Sequence, residues 1–232
     1  MALHYNPRIE LDGLQLYVEA ADPACYPGSG QTVYDLSLNG RVLSSNMNES
    51  YLNGKVFDFS PDYGSYINIE HNFTDLDDLT IEVLFTVTGN HDNYHGTLVS
   101  SGNWNVEHWA LAIDQTNRGI EVRRPYIGTV GYQFELNQWY YVTWRRSRGI
   151  SNFFVNAVQV GGDLVGSNND RPLVSDAGNT MIGRETYAGG YFNLNGKIKN
   201  VKIYNRPLSN SEILKNYQAL SSRTGLQNDG LS

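Results

Sequence analysis

Between Leu14 and Ile203 the sequence divides into about a dozen short strand-forming runs, a spacing that demands two packed antiparallel sheets. "LQLYVEA" (14–20), "KVFDFS" (55–60) and "SYINIEH" (65–71) alternate in character and are bounded by Gly, Asn, Pro or Asp. "LTIEVLFTVTG" (79–89) is the longest, with Ile81, Val83, Phe85 and Val87 on one parity. Leu84 on the other parity predicts a strand covered in part on its second face. "GTLVSSG", "HWALAID", "GIEVRR", "YQFEL", "WYYVTWRR" and "NFFVNAVQVGG" follow, and "FFVNAVQV" reads as a hairpin turning at Asn156–Ala157. In the last strand Ile198 and Val201 have opposite parity while Val201 and Ile203 agree, which predicts a bulge near Lys199–Asn200.

A single helix comes after these strands. Pro207 cannot continue a strand's hydrogen-bond ladder, so the strand ends by Arg206. Ser209 and Glu212 in "SNSE" form a capping box, and Leu208 and Ile213 take the two positions of a hydrophobic staple. Ile213, Leu214, Tyr217 and Leu220 then repeat at helical spacing and should lie on a sheet. No second domain, internal repeat or linker is visible. The reading is one domain over residues 1–220, followed by a small polar tail, residues 221–232, expected to be disordered.

Composition narrows the function classes. At 232 residues the chain suits one sizeable β domain that folds without metal or disulfide. Cys25 is the single cysteine, which excludes an intramolecular disulfide and reads as a small packed residue in a protein folded in the cytoplasm. A net charge of −7 argues against nucleic acid and anionic membrane as partners, although Arg145, Arg146 and Arg148 make a local basic cluster. The opening "MALHYNPRIELDG" has no apolar core of signal-peptide length, and no run approaches a membrane span.

Catalytic patterns are missing too. Asp75, Asp77 and Asp78 in "FTDLDDLT" precede a strand and read as a solvated turn, with Asp78 bonding nearby backbone. His91 and His95 sit in a Gly-flanked loop, where four-residue spacing does not build a zinc site. Ser100 and Ser101 lack the Gly-x-Ser-x-Gly elbow, and no phosphate-binding glycine motif occurs. No enzyme and no resident metal are expected.

"NGKIKNVKIYNRPLSNSEILKNY" resembles the closing signature of the laminin G-like, concanavalin A-like jelly rolls. "TIEVLFTV", "GTLVSSGN", "WALAID", "NQWYYVTW" and "FFVNA" fit the family's middle strands in order. The front is similar to the opening of a group of tailed-phage virion proteins, through Asp12–Leu14, Glu19–Ala21, Tyr26–Gly30, Tyr34–Ser37 and Asn39–Gly40. The resemblance implies an all-β, two-sheet antiparallel jelly-roll sandwich with one short C-terminal helix. The laminarinase branch of the family carries a Glu-x-Asp-x-x-Glu strand, which sets two carboxyls about 5–5.5 Å apart across a glycosidic bond. That pattern does not occur in this sequence.

What remains is binding. The resemblance implies a non-catalytic virion structural protein, either a capsid decoration or part of a tail or fibre, present in several copies against other virion subunits. The alternative is a lectin-like module that recognises host glycans. Relatives of this fold hold glycans, or calcium, on rim loops. Trp104, Tyr126, Tyr187 and Tyr191 are the loop aromatics suited to a sugar face, whereas Trp109, Trp139 and Trp144 lie in strands and read as core. Asp176 and Asn179, with Asp92 or Asp114, are the oxygen ligands a calcium ion would use if they converge, although the reading as ordinary turn residues is the favoured one.

Overall fold

The alternation becomes two sheets in the computed structural model, which describes residues 8–48, 52, 55–59, 64–71, 73, 78–89, 95–102, 108–114, 119–123, 128–165, 179–187 and 190–224. The first six strands are β1 (Leu14–Glu19), β2 (Thr32–Tyr34), β3 (Val42–Ser45), β4 (Phe57–Asp58), β5 (Ile67–Ile69) and β6 (Leu79–Val87). Then come β7 (His95–Gly102), β8 (His108–Asp114), β9 (Ile120–Arg123), β10 (Gly128–Val130), β11 (Tyr140–Ser147) and β12 (Ile150–Val155). β13 (Val158–Val165), β14 (Thr180–Ile182), β15 (Arg184–Tyr187), β16 (Gly190–Asn193) and β17 (Gly196–Tyr204) complete the set, and α1 (Asn210–Thr224) follows.

The first sheet has the order β1-β17-β6-β11-β12-β13, with β4 also paired to β17. The second has the order β10-β9-β8-β7-β14-β5-β3-β2, and β15 and β16 pair only with each other. Inner faces meet in one core, where Ile81, Val83, Phe85 and Trp144 share a cluster with Trp109, Leu111 and Val122. The rings of Trp109 and Trp144 meet edge-on, centroids 5.9 Å apart.

Local irregularities follow the sequence. The β12–β13 hairpin turns at Asn156 and Ala157, with φ of 51° and 66°, the pair of left-handed residues a tight primed turn requires. Asn156 offsets the strain on Ala157 by accepting a hydrogen bond from the Tyr141 amide at 3.0 Å. The β17–β6 register slips between Ile198 and Asn200, which leaves Lys199 as the bulged residue. Its ammonium lies 4.2 Å from the centre of the Trp139 ring. Trp139 therefore departs from the expected core placement: it precedes β11, half-buried, against Leu84, Tyr141, Tyr217 and Leu220.

α1 covers the outer face of the first sheet. Ser209 caps it: the Glu212 amide donates to Ser209 Oγ at 3.3 Å, and the Ser209 amide donates to Glu212 Oε2 at 2.7 Å. Leu208 and Ile213 join Leu14, Tyr17, Phe154 and Tyr204 in one buried cluster, and Tyr217 and Leu220 join Leu84 and Tyr141 in another. The helix passes Leu220 and runs to Thr224, so part of the segment expected to be a loose tail is helical. Its sequence offers no stop before Gly225, and Arg223 ties the last turn to β1 through Glu19 at 3.2 Å.

The opening segment is built around Asp35. Its carboxylate accepts the Tyr17 amide at 3.0 Å, the Ser37 amide and hydroxyl at 2.8 Å each, and Arg41 at 3.1 Å. The "YDLS" motif thus has a folding role of its own. Cys25 is packed as expected, fully buried, and burial pushes its thiol up to about 12. The three arginines do not form a basic patch: Arg146 is buried, while Arg145 donates to Leu208 O and Asn210 Oδ1 at the helix start. Among the described residues no helix is long and apolar enough to cross a membrane.

Arg206, 2.7 Å from Glu212, holds that carboxyl at about 2, below its usual 4.5. The unfolded chain therefore takes up the proton first as pH falls, and the contribution of Glu212 is complete above pH 4.5 and lost towards pH 2. Glu212→Gln should melt below the native protein near neutral pH, and the gap should close across that window in thermal melts.

Candidate functional site

Alternation along the second sheet sends Ile120 and Val122 inward and Glu121 and Arg123 outward. Across the neighbouring strands Thr97, Ser100, Ala110 and Ala112 share that outer face, so it is lined by small and polar groups. The β15–β16 hairpin lies over it. Gly183 makes the turn between β14 and β15 at φ 84°, where a Cβ would run into the Phe59 ring. Its amide donates to Leu98 O and its carbonyl accepts from Leu194, both at 2.9 Å, which fixes where the hairpin leaves and re-enters the sandwich.

Charge holds the hairpin down. Arg123 reaches Glu185 of β15 at 3.1 Å, with side-chain exposures of 9% and 2%. The same guanidinium lies 4.2 Å over the Phe192 ring of β16. His95 packs edge-on against Phe192 at 5.6 Å and places Nδ1 2.6 Å from Glu121 Oε2. Ser100 donates to the carbonyl of Arg184 at 2.7 Å. Removing one member of a buried pair strands its partner, so these contacts hold the hairpin in one position.

The expected ligand residues surround this cluster in sequence. Trp104 and Tyr126 lie outside the described residues, in the segments between β7 and β8 and between β9 and β10. Tyr187 and Tyr191 belong to the hairpin strands, paired with Gly190 and Thr186. The flanking strand ends do converge. Gly102 pairs with His108, Arg123 with Ala110, and Gly128 with Val122, so these strand ends lie at the same end of the second sheet. Arg123 and Glu185 join the hairpin to that end.

Other candidates resolve differently. Asp78 accepts the Arg148 amide at 2.8 Å, so it bonds the distant β11–β12 turn rather than nearby backbone, while Asp75, Asp77 and His91 lie outside the described residues. His95 stands in a strand rather than a loop. Ser101 bonds Thr180 at 2.9 Å, so both serines are committed to structure. Asp114 pairs with His95 at one end of β7, while Asn179 precedes Thr180, which pairs with Ser101 near the other end. At about 3.4 Å per residue those two are too far apart to share a calcium ion. Asp92 and Asp176 lie outside the described residues. Among the described residues no three His, Cys, Asp or Glu side chains gather as metal ligands.

Sequence reasoning misses Arg123, Glu185, His95 and Phe192 as a set. A trace exists in "GIEVRR", where two charges alternate with two buried aliphatics on a strand.

A model of the concanavalin A-like lectin/glucanases superfamily, laminin G type, matches residues 61–214, more than half of the chain. The chain belongs to this superfamily. No curated protein matches its sequence. Among solved structures, this superfamily domain is similar to a Trypanosoma rangeli sialidase in complex with sialic acid, at TM-score 0.62 and 15% identity, over 90% of this chain and 33% of that one. A botulinum neurotoxin serotype D binding domain is similar at TM-score 0.59 and 14% identity, over 89% of this chain and 52% of that one. The chain thus spans a third of the sialidase and half of the toxin domain, and at these identities the likeness is one of fold.

Glu185→Ala removes the buried carboxylate that faces the Arg123 guanidinium and should cost about 3–5 kcal/mol. Chemical denaturation of the variant beside the native domain checks the figure.

Proposed function

We propose that this domain is a non-catalytic carbohydrate-binding module whose ligand sits at the end of the second sheet around Arg123. The observation that carries the reading is the buried Arg123–Glu185 pair, which fixes the hairpin at the end of the sheet where β7 ends, β8 begins and β9 ends; Trp104, Tyr126, Tyr187 and Tyr191 are the residues assigned to the sugar face. Aromatic faces beside fixed polar groups are what a sugar ring needs, and the buried Arg123–Glu185 pair supplies the rigid support. Membership of a lectin and glucanase superfamily agrees, as do neighbours that are a sialic acid complex and a toxin binding domain. A glycosidase needs two carboxyls free to trade a proton across an open bond. Glu121 instead lies against His95, and Glu185 is paired with Arg123.

A glycan array followed by calorimetry with its strongest hit tests this. Trp104→Ala, Tyr126→Ala, Tyr187→Ala and Tyr191→Ala should weaken binding, at least two of them by about tenfold, without lowering the melting temperature. Repeating the titration with a chelator tests calcium assistance. Retention of no glycan, or indifference to all four variants, overturns the proposal.

A second reading has its own observation. The segment similar to phage virion proteins carries exposed apolar residues: Leu38 fully exposed, Val42 at 65% and Tyr34 at 40%. Tyr34 of β2, the edge strand of the second sheet, and Val42 of β3 are cross-strand partners. We propose this edge as the contact with other subunits in a virion. Immunogold electron microscopy with antibody against the chain should label heads or tails of phage particles, and unlabelled particles would remove this reading.

A further inference from the structure

Beneath α1, on the outer face of the first sheet, an amine, an amide and a carboxyl meet out of water. Lys202 and Glu82 are register partners on β17 and β6, and both side chains are wholly buried. Asn216 reaches Glu82 from α1 and is buried equally. One oxygen, Glu82 Oε2, accepts from Asn216 Nδ2 at 2.8 Å and from Lys202 Nζ at 3.4 Å. The Asn216 carbonyl oxygen accepts from the Glu10 amide at 2.7 Å. Its nitrogen also donates to the Tyr204 hydroxyl at 3.0 Å, and Lys202 donates to the Tyr141 hydroxyl at 3.1 Å.

A buried ion pair at best breaks even with apolar packing. Stability alone therefore gives little reason to seat an amide on the same oxygen as the amine, with a backbone donor on its carbonyl. Those are the parts of an acyl transfer. We propose that Lys202 and Asn216 condense to an isopeptide bond, with Glu82 carrying the proton between them.

The uncharged Lys202 nitrogen attacks Cγ of Asn216, and a C–N bond forms. The Glu10 amide holds the oxygen as it gains negative charge. Glu82 takes a proton from the attacking nitrogen and delivers one to Nδ2; the Cγ–Nδ2 bond then breaks and ammonia leaves. An amine and an amide become a secondary amide and ammonia, so no oxidant, metal or co-reactant enters. Burial assists, because it raises the Glu82 carboxyl and lowers the Lys202 ammonium towards the neutral acid and neutral amine that the attack uses. The product would bolt α1 to the central strands of the first sheet.

Intact mass of the full chain after native expression should fall short of the sequence mass by one ammonia. After denaturation and trypsin, Lys202 should resist cleavage, and the peptide 200–215 should stay joined to the peptide 216–223. Lys202→Met and Glu82→Gln, each confirmed folded by circular dichroism, should keep the ammonia. A full-mass native chain overturns the proposal without any variant. So does an ammonia loss confined to peptide 216–223, which marks a succinimide, and so does cross-linking that persists in Glu82→Gln, which removes the carboxyl's part.

Discussion

A sheet that is buried on both faces must be covered twice, and that requirement organises this molecule. β6 is buried along all nine residues, one face against the second sheet and the other against α1. The helix is therefore part of the core. Its capping box, its staple and the grip of Arg145 at its start and Arg223 at its end hold one roof over strands that could not face water. The polar group of Glu82, Lys202 and Asn216 is what that roof seals in.

The two outer faces have been treated differently. On the first sheet a helix supplies apolar cover and shuts polar groups inside. On the second a two-stranded hairpin lies over a polar face and is secured by the Arg123–Glu185 pair and by Phe192 under the same guanidinium.

Much of the fold is legible because it is written locally. The cap, the staple, the Asn156–Ala157 turn and the bulge at Lys199 each depend on residues within a few positions of one another. The helix end is legible less well, since Ser221 to Thr224 carry no apolar periodicity and are held by distant contacts such as Arg223 with Glu19. Trp139 is misjudged for a similar reason: its neighbours Tyr140 and Tyr141 are strand formers, but the ring is stationed by a lysine that the bulge turns outward. The candidate site depends on pairs such as Arg123 and Glu185, 62 positions apart, which no window along the chain can join. The aromatic residues are visible in sequence, whereas the meeting of the strand ends near Arg123 comes only from the strand pairing.

The position of β17 has a consequence for how the molecule is made. It lies between β1 and β6, and it pairs Leu16 with Ile203 and Val83 with Val201. On the ribosome β1 must wait for β17, and until then β1 and β6 both present bare hydrogen-bonding edges. Folding of the first sheet accordingly follows the synthesis of β17, slow by virtue of its distant contacts. A chain interrupted before β17 would be an aggregation hazard rather than a smaller working domain.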